Sequence, residues 1–151
     1  MKDIKVVIEN LSTQGIALDN AQTLFLKEFI DLDSTYKPPS FFFSGNSIGN
    51  LYIWGSVGRG KTMLLQAIRD SYFPDAGQFH FIEFMQVVHK KLSDFSGNSD
   101  PLLSVVKDLS NNYKIIFIDE FQIEDIADAM IIGTLIEALS RKGLRLFISS
   151  N

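Results

Sequence analysis

Cysteine is absent from the 151 residues. Its absence excludes disulfides, thiolate metal sites and cysteine nucleophiles, and it suits a reducing compartment. Excess positive charge is also missing. Lys and Arg total 14 against 18 Asp and Glu, for a net charge of −4. The only adjacent basic pairs, Lys90-Lys91 and Arg141-Lys142, read as solvated helix ends. There is thus no basic tract for nucleic acid or acidic lipid. Apolar runs are short: Ile115–Ile118 falls far below the roughly 20 residues of a membrane span. The start, Met1-Lys2-Asp3-Ile4-Lys5, carries an acid and does not resemble a signal peptide. Internal repeats and low-complexity stretches are lacking as well. The expectation is a soluble, cytoplasmic chain.

What remains is ordinary for a globular domain: 46% hydrophobic and 21% charged residues, with 13 Phe to fill a core. Residues 1–16 carry no clear pattern. Asp19 and Gln22 form a D-x-x-Q helix start, and Leu24, Phe25, Leu26, Phe29 and Ile30 then recur at helical spacing. This predicts a helix from about Asn20 to Leu32. Residues 33–49 read as a loop, with Pro38-Pro39 as a stop and Ser44-Gly45-Asn46-Ser47 as turn chemistry. The triplet Phe41-Phe42-Phe43 within it reads as aromatics tucked back onto the core.

From residue 50 the pattern alternates. Strands are expected at Leu51–Trp54, Phe79–Phe84, Ile115–Ile118 and Leu144–Ser149. Helices are expected at about 60–71, 85–92, 101–111 and 126–142, with a polar loop at 93–100. Asp100-Pro101 opens one helix, and Arg141, Lys142 and Gly143 close another. Alternation of this kind predicts an α/β fold with a parallel sheet and flanking crossover helices. The sequence divides into an N-terminal helix and loop segment, 1–49, and a P-loop core, 50–151.

Gly55-Ser56-Val57-Gly58-Arg59-Gly60-Lys61-Thr62 matches G-x-x-x-x-G-K-[ST], between an expected strand and an expected helix. Glycines let the backbone aim several N–H groups inward, and the helix N-terminus adds its own. Such a loop cradles phosphates. Lys61 would reach the β- and γ-phosphates, and Thr62 would ligate Mg²⁺ through its hydroxyl. Gly55 through Thr62, with Met63, are the candidate nucleotide-binding residues. Chance gives one such match in a chain this long with odds of roughly one in two hundred.

The apolar run Ile115-Ile116-Phe117-Ile118 ends in Asp119-Glu120. Acids at the end of a buried strand need a cation or hydrogen bonds to offset desolvation. Mg²⁺ suits Asp119, and Glu120 could polarise a water for attack on the γ-phosphate. The last strand leads into Asn151, placed to donate to the γ-phosphate or orient the water, or simply to start a loop. His80 and His89 have the spacing of no metal motif. Glu83 is expected at the end of the second strand, near the same sheet edge. Arg59 would face a neighbour or solvent.

These motifs appear in one order with His80-Phe81, Glu83-Phe84-Met85, His89, Asp100-Pro101-Leu102, Asp119-Glu120-Phe121-Gln122, Asp125-Ile126-Ala127-Asp128-Ala129-Met130 and Ser149-Ser150-Asn151. In that combination the chain resembles the ZapE family of bacterial cell-division ATPases and their mitochondrial AFG-like relatives, of the AAA+ class. The resemblance runs from about residue 17 to the end. It implies a three-layer P-loop NTPase core and a Mg²⁺-dependent ATPase linked to the division ring. It also implies that Gly58, Gly60, Lys61 and Thr62 bind nucleotide and metal, that Asp119 and Glu120 form the Walker B pair, and that Asn151 is the sensor 1 position.

Two departures accompany the resemblance. Ile82 stands where the family usually has a second His. The family also continues past the sensor into a fifth strand, a trans-acting arginine and a helical lid, none of which falls within these residues. The absent strand would flank Leu51–Trp54, so that strand is expected at a sheet edge. Without the arginine, commonly worth about 10³–10⁵ in rate, the chain alone is expected to bind ATP and turn it over poorly. Expected partners are ATP, a second copy or full-length relative, and division-ring proteins. Two other readings share these residues: a helicase-loader P-loop ATPase, against which the acidic charge weighs, and a non-catalytic interaction fragment.

Overall fold

A computed structural model of the chain describes residues 1–37, 49–56, 58 and 60–151. The expected Pro38-Pro39 stop, the Phe41–Phe43 triplet and the Ser44–Ser47 turn lie outside the described residues, as do Val57 and Arg59.

Four parallel strands form one sheet: β1 (Leu51–Trp54), β2 (Gly77–His80), β3 (Ile115–Asp119) and β4 (Arg145–Ser150), in the order β1-β4-β3-β2. Six helices accompany them: α1 (Ile4–Thr13), α2 (Asn20–Thr35), α3 (Lys61–Tyr72), α4 (Phe81–Asp94), α5 (Pro101–Asn112) and α6 (Ile126–Arg141). β3 alternates between two cores. Ile116 and Ile118 join α4, α5 and α6 on one face. Ile115 and Phe117 join α1, α2 and α3 on the other, where Phe147 of β4 packs edge-on against Phe29 and Phe117. A helix layer on each face of a parallel sheet is the three-layer architecture expected of alternating strands and helices.

The expected caps form. Asp19 Oδ1 accepts from Gln22 N at 2.8 Å and Gln22 Oε1 accepts from Asp19 N at 3.0 Å, closing a capping box. Asp100 accepts from Leu103 N ahead of Pro101. Gly143, at φ 84°, turns the chain out of α6, and Leu144 N returns to Leu139 O.

Three expectations change. The second strand is Gly77–His80, not Phe79–Phe84, because Phe81, Phe84, Met85 and Val88 recur at helical spacing and bury one face of α4. The aromatic run mimics a strand, but its period is that of a helix. α4 begins there and runs to Asp94, so Glu83 sits in its first turn and not at a strand end. α1 is a helix where no pattern was legible; Val7 and Leu11 are its buried residues, and Asp3 caps it. α2 continues to Thr35, three residues into the expected loop.

That extension carries Asp33, whose side chain is 5% exposed. Its Oδ2 accepts from Lys2 Nζ at 2.7 Å, and its Oδ1 meets Arg145 Nη1 at 2.7 Å as an ion contact without hydrogen-bond geometry. The Arg145 guanidinium lies over Tyr36 and Phe147, and its Nε donates to Gly49 O at 2.9 Å. Asp33 therefore ties α1, α2 and the start of β4 together. Nearby, Tyr72 donates to Asp3 O at 2.6 Å. Burial, then the charges of Asp3 and Asp33, raise the Tyr72 phenol above its ordinary pKa. The stability it contributes is complete below about pH 10 and is lost as pH climbs through the raised value.

Removing one partner of a buried ion pair strands the other, at about 3–5 kcal/mol. Asp33→Ala should lower unfolding stability by roughly that amount in urea titration. Lys90→Ala, at an exposed pair with Asp94, should change it by less than about 1 kcal/mol.

Candidate functional site

Parallel strands deliver their carboxyl ends to one sheet edge, where ligands of open α/β sheets bind. Here that edge carries, in spatial order, Trp54, Ser150, Asp119 and His80, with Trp54 in register with Ser150 and His80 with Asp119. The Gly-rich turn leaves β1 at this edge and enters α3 through Gly60. Gly60 adopts φ 77°, a left-handed conformation that suits glycine. No side chain caps α3, so its first N–H groups are open to an anion.

Lys61 is buried, at 9% exposure, and its Nζ donates to Gly55 O at 2.6 Å and Ser56 O at 2.7 Å. No carboxylate of a described residue pairs with it. An ammonium held against two carbonyls keeps its full formal charge for a phosphate. Thr62, one residue on, turns toward β3, and its Oγ1 donates to Asp119 Oδ1 at 3.0 Å.

Asp119 is the centre of the site. Its Oδ1 also accepts from Ser149 Oγ at 2.5 Å and from Glu120 N at 2.9 Å. Its Oδ2 faces His80 Nδ1 at 3.9 Å. Three donors hold the carboxylate oriented. Two hydroxyl oxygens and a carboxylate, with no Lys or Arg among the described residues paired with it, form an oxygen-rich set that fits a hard divalent cation. Ligand atoms of His80, Asp119 and Glu120 can all lie within 4.8 Å of one another.

Glu120 is exposed and has φ 54°, the one positive value at a non-glycine described residue. Strain of this kind persists where surroundings over-determine it and gathers at functional sites. The hydrogen bond from Phe121 N to Ser149 O, 2.9 Å, pins the turn just after it.

Gly55, Ser56, Gly58, Gly60, Lys61, Thr62, Asp119 and Glu120 thus surround one edge, with Met63 on the flank of α3 that packs against α1 and α2. Asn151 is exposed just past β4, and the β4 residue touching Asp119 is Ser149, which sequence reasoning passed over. The signal was the pair Ser149-Ser150 at the end of an apolar strand: polar, small and buried. By spacing, His80 fits no metal motif and is only a weaker candidate. It arrives because β2 lies beside β3, which sequence spacing cannot show. His89 pairs with Asp128, in the first turn of α6, at 2.7 Å.

Known proteins resemble this chain in sequence and in fold. Over 105 residues the chain is 38% identical to the cell division protein ZapE of Escherichia coli strain K12, a match covering 69% of this chain. It spans 28% of that relative's length, and 24% and 22% of the curated relatives from Schizosaccharomyces pombe and Danio rerio. Among solved structures, DnaI aligns at TM-score 0.60 and 16% identity, covering 100% of this chain and 76% of the other. Domain III of the Thermotoga maritima replication initiation protein DnaA aligns at 0.59 and 18%, covering 91% and 54%. Those two likenesses show the fold alone, a parallel sheet with flanking helices. The AFG1-like ATPase family profile matches residues 9–151, and the chain belongs to that family.

Proposed function

We propose that this chain forms the nucleotide-binding part of a Mg²⁺-dependent ATPase. The observation that carries the reading is the Thr62–Asp119 hydrogen bond, which joins the end of the Gly-rich loop to the acid of β3. That contact brings a phosphate cradle and a hard-cation site together, as phosphoryl transfer requires.

Phosphates would sit on the N–H groups of the loop and the first turn of α3, with Lys61 leaving its two carbonyls for them. Thr62 and Asp119 would hold Mg²⁺, which would supply positive charge against the charge developing on the transferred phosphoryl group. Ser149 and the Glu120 N–H keep the Asp119 carboxylate aimed. Glu120, exposed beside that carboxylate, would accept a proton from the attacking water. Asn151 would contact the γ-phosphate only by turning inward from its exposed position. The trans-acting arginine that the resemblance implies supports a site completed by residues of another copy. Membership of this family and the ZapE relative support a role in bacterial cell division and a cytoplasmic location. Among the described residues, no helix is long and apolar enough to cross a membrane.

Calorimetric titration of MgATP into the protein should show saturable binding, and Lys61→Ala should abolish it. Parent-like binding in Lys61→Ala would sink the reading. Glu120→Gln should keep the binding and lower steady-state turnover about 10²–10⁴-fold. Hydrolysis by Glu120→Gln at the parent rate would remove Glu120 from the mechanism.

A further inference from the structure

The two flanks of α3's first turn differ in chemistry. Thr62 faces Asp119, so the terminal phosphate and the cation belong on that flank. Met63, the next residue, turns the other way and packs against the cluster shared by α1, α2 and α3. A phosphate chain seated on the loop with its terminal end toward Asp119 directs its nucleoside end toward that second flank.

The residue waiting there comes from α2. A Cβ built on Gly60 would lie 2.8 Å from Gln22 Nε2 and 3.2 Å from Met63 Cε. The Gln22 amide and the Met63 side chain thus both lie beside Gly60 of the Gly-rich loop. The capping box sets the amide's orientation: Asp19 N–H donates to Gln22 Oε1 at 3.0 Å, which a flipped amide could not accept. Nε2 is therefore the atom turned toward the loop. A carboxamide nitrogen carries two N–H groups and its oxygen two lone pairs, so each can serve more than one partner.

Resting on the nucleotide-binding reading above, we propose that Gln22 reads the base at this site and selects adenine. A carboxamide presents a donor and an acceptor side by side. Adenine answers with its N7 acceptor and N6 donor, whereas guanine shows two acceptors on that edge. Met63 supplies a polarizable apolar surface for the ring. The D-x-x-Q motif thereby serves twice, starting α2 and forming the nucleoside wall.

The test compares three probes by calorimetry with Mg²⁺ present: ATP, GTP and inorganic tripolyphosphate. The parent protein should prefer ATP to GTP roughly tenfold or more, the scale of one bidentate base contact. Gln22→Glu retains an accepted capping-box residue, so α2 should persist, checked by circular dichroism and melting temperature. It replaces the N–H donor by a second acceptor. The added carboxylate also repels both polyphosphates, so ATP affinity should fall roughly tenfold or more beyond whatever tripolyphosphate loses. An equal loss for tripolyphosphate would make Gln22 a brace for the loop and overturn base reading. Unchanged ATP affinity in Gln22→Glu overturns it too. A parent protein that binds ATP and GTP equally overturns it without any variant. A folded parent that binds neither ATP nor tripolyphosphate removes the nucleotide-binding reading itself, and this inference with it.

Discussion

One carboxylate oxygen, Asp119 Oδ1, receives hydrogen bonds from three parts of the chain: Thr62 of α3, Ser149 of β4 and the backbone of Glu120. The arrangement depends on β3 being buried on both faces. Ile116 and Ile118 are locked into one core and Ile115 and Phe117 into the other, so the strand cannot slide or rotate without disrupting both. A rigid strand brings its last residue to a defined point. The strained conformation of Glu120 is tolerated because Asp119 on one side and the Phe121–Ser149 bond on the other leave the turn little freedom.

The same logic extends to the N-terminal helices. α1 and α2 contribute Val7, Leu11, Leu26 and Phe29 to the core that contains α3 and Phe147. Asp33 adds an ionic tie at the opposite end of the sheet from the candidate site. Because the amino end of α2 reaches Gly60 while its carboxyl end holds Arg145, this helix runs beside the sheet from the loop edge to the far edge. Anything that shifts α2 is felt at the Gly-rich loop through Gln22.

β1 remains an edge strand, as the resemblance implied, with no strand beyond it among the described residues. Leu51 and Ile53 pack inward, while Tyr52 and Trp54 lie on the other face and are largely exposed, at 53% and 77%. Tyr52 is held by Phe121 and by the Ser150 hydroxyl. Exposed aromatics on a short edge strand are a pairing hazard in isolation.

The sequence by itself determined the Gly-rich loop, the double-sided apolar run ending in Asp119-Glu120, the capping box at Asp19 and the alternation that demands a parallel sheet. Each is a local pattern whose physics acts within a few residues: period, cap chemistry and turn conformation. Tertiary structure alone decided three other matters. It placed His80 beside Asp119, because strand order is a pairing choice between distant segments. It made Ser149 the buried hydroxyl on Asp119 while leaving Asn151 exposed, because register fixes which side chain reaches the acid. It also made residues 4–13 a helix, because packing Val7 and Leu11 into a core overrides the weak preference of β-branched residues for strands. Local rules wrote the chemistry of the site, and packing chose its neighbours.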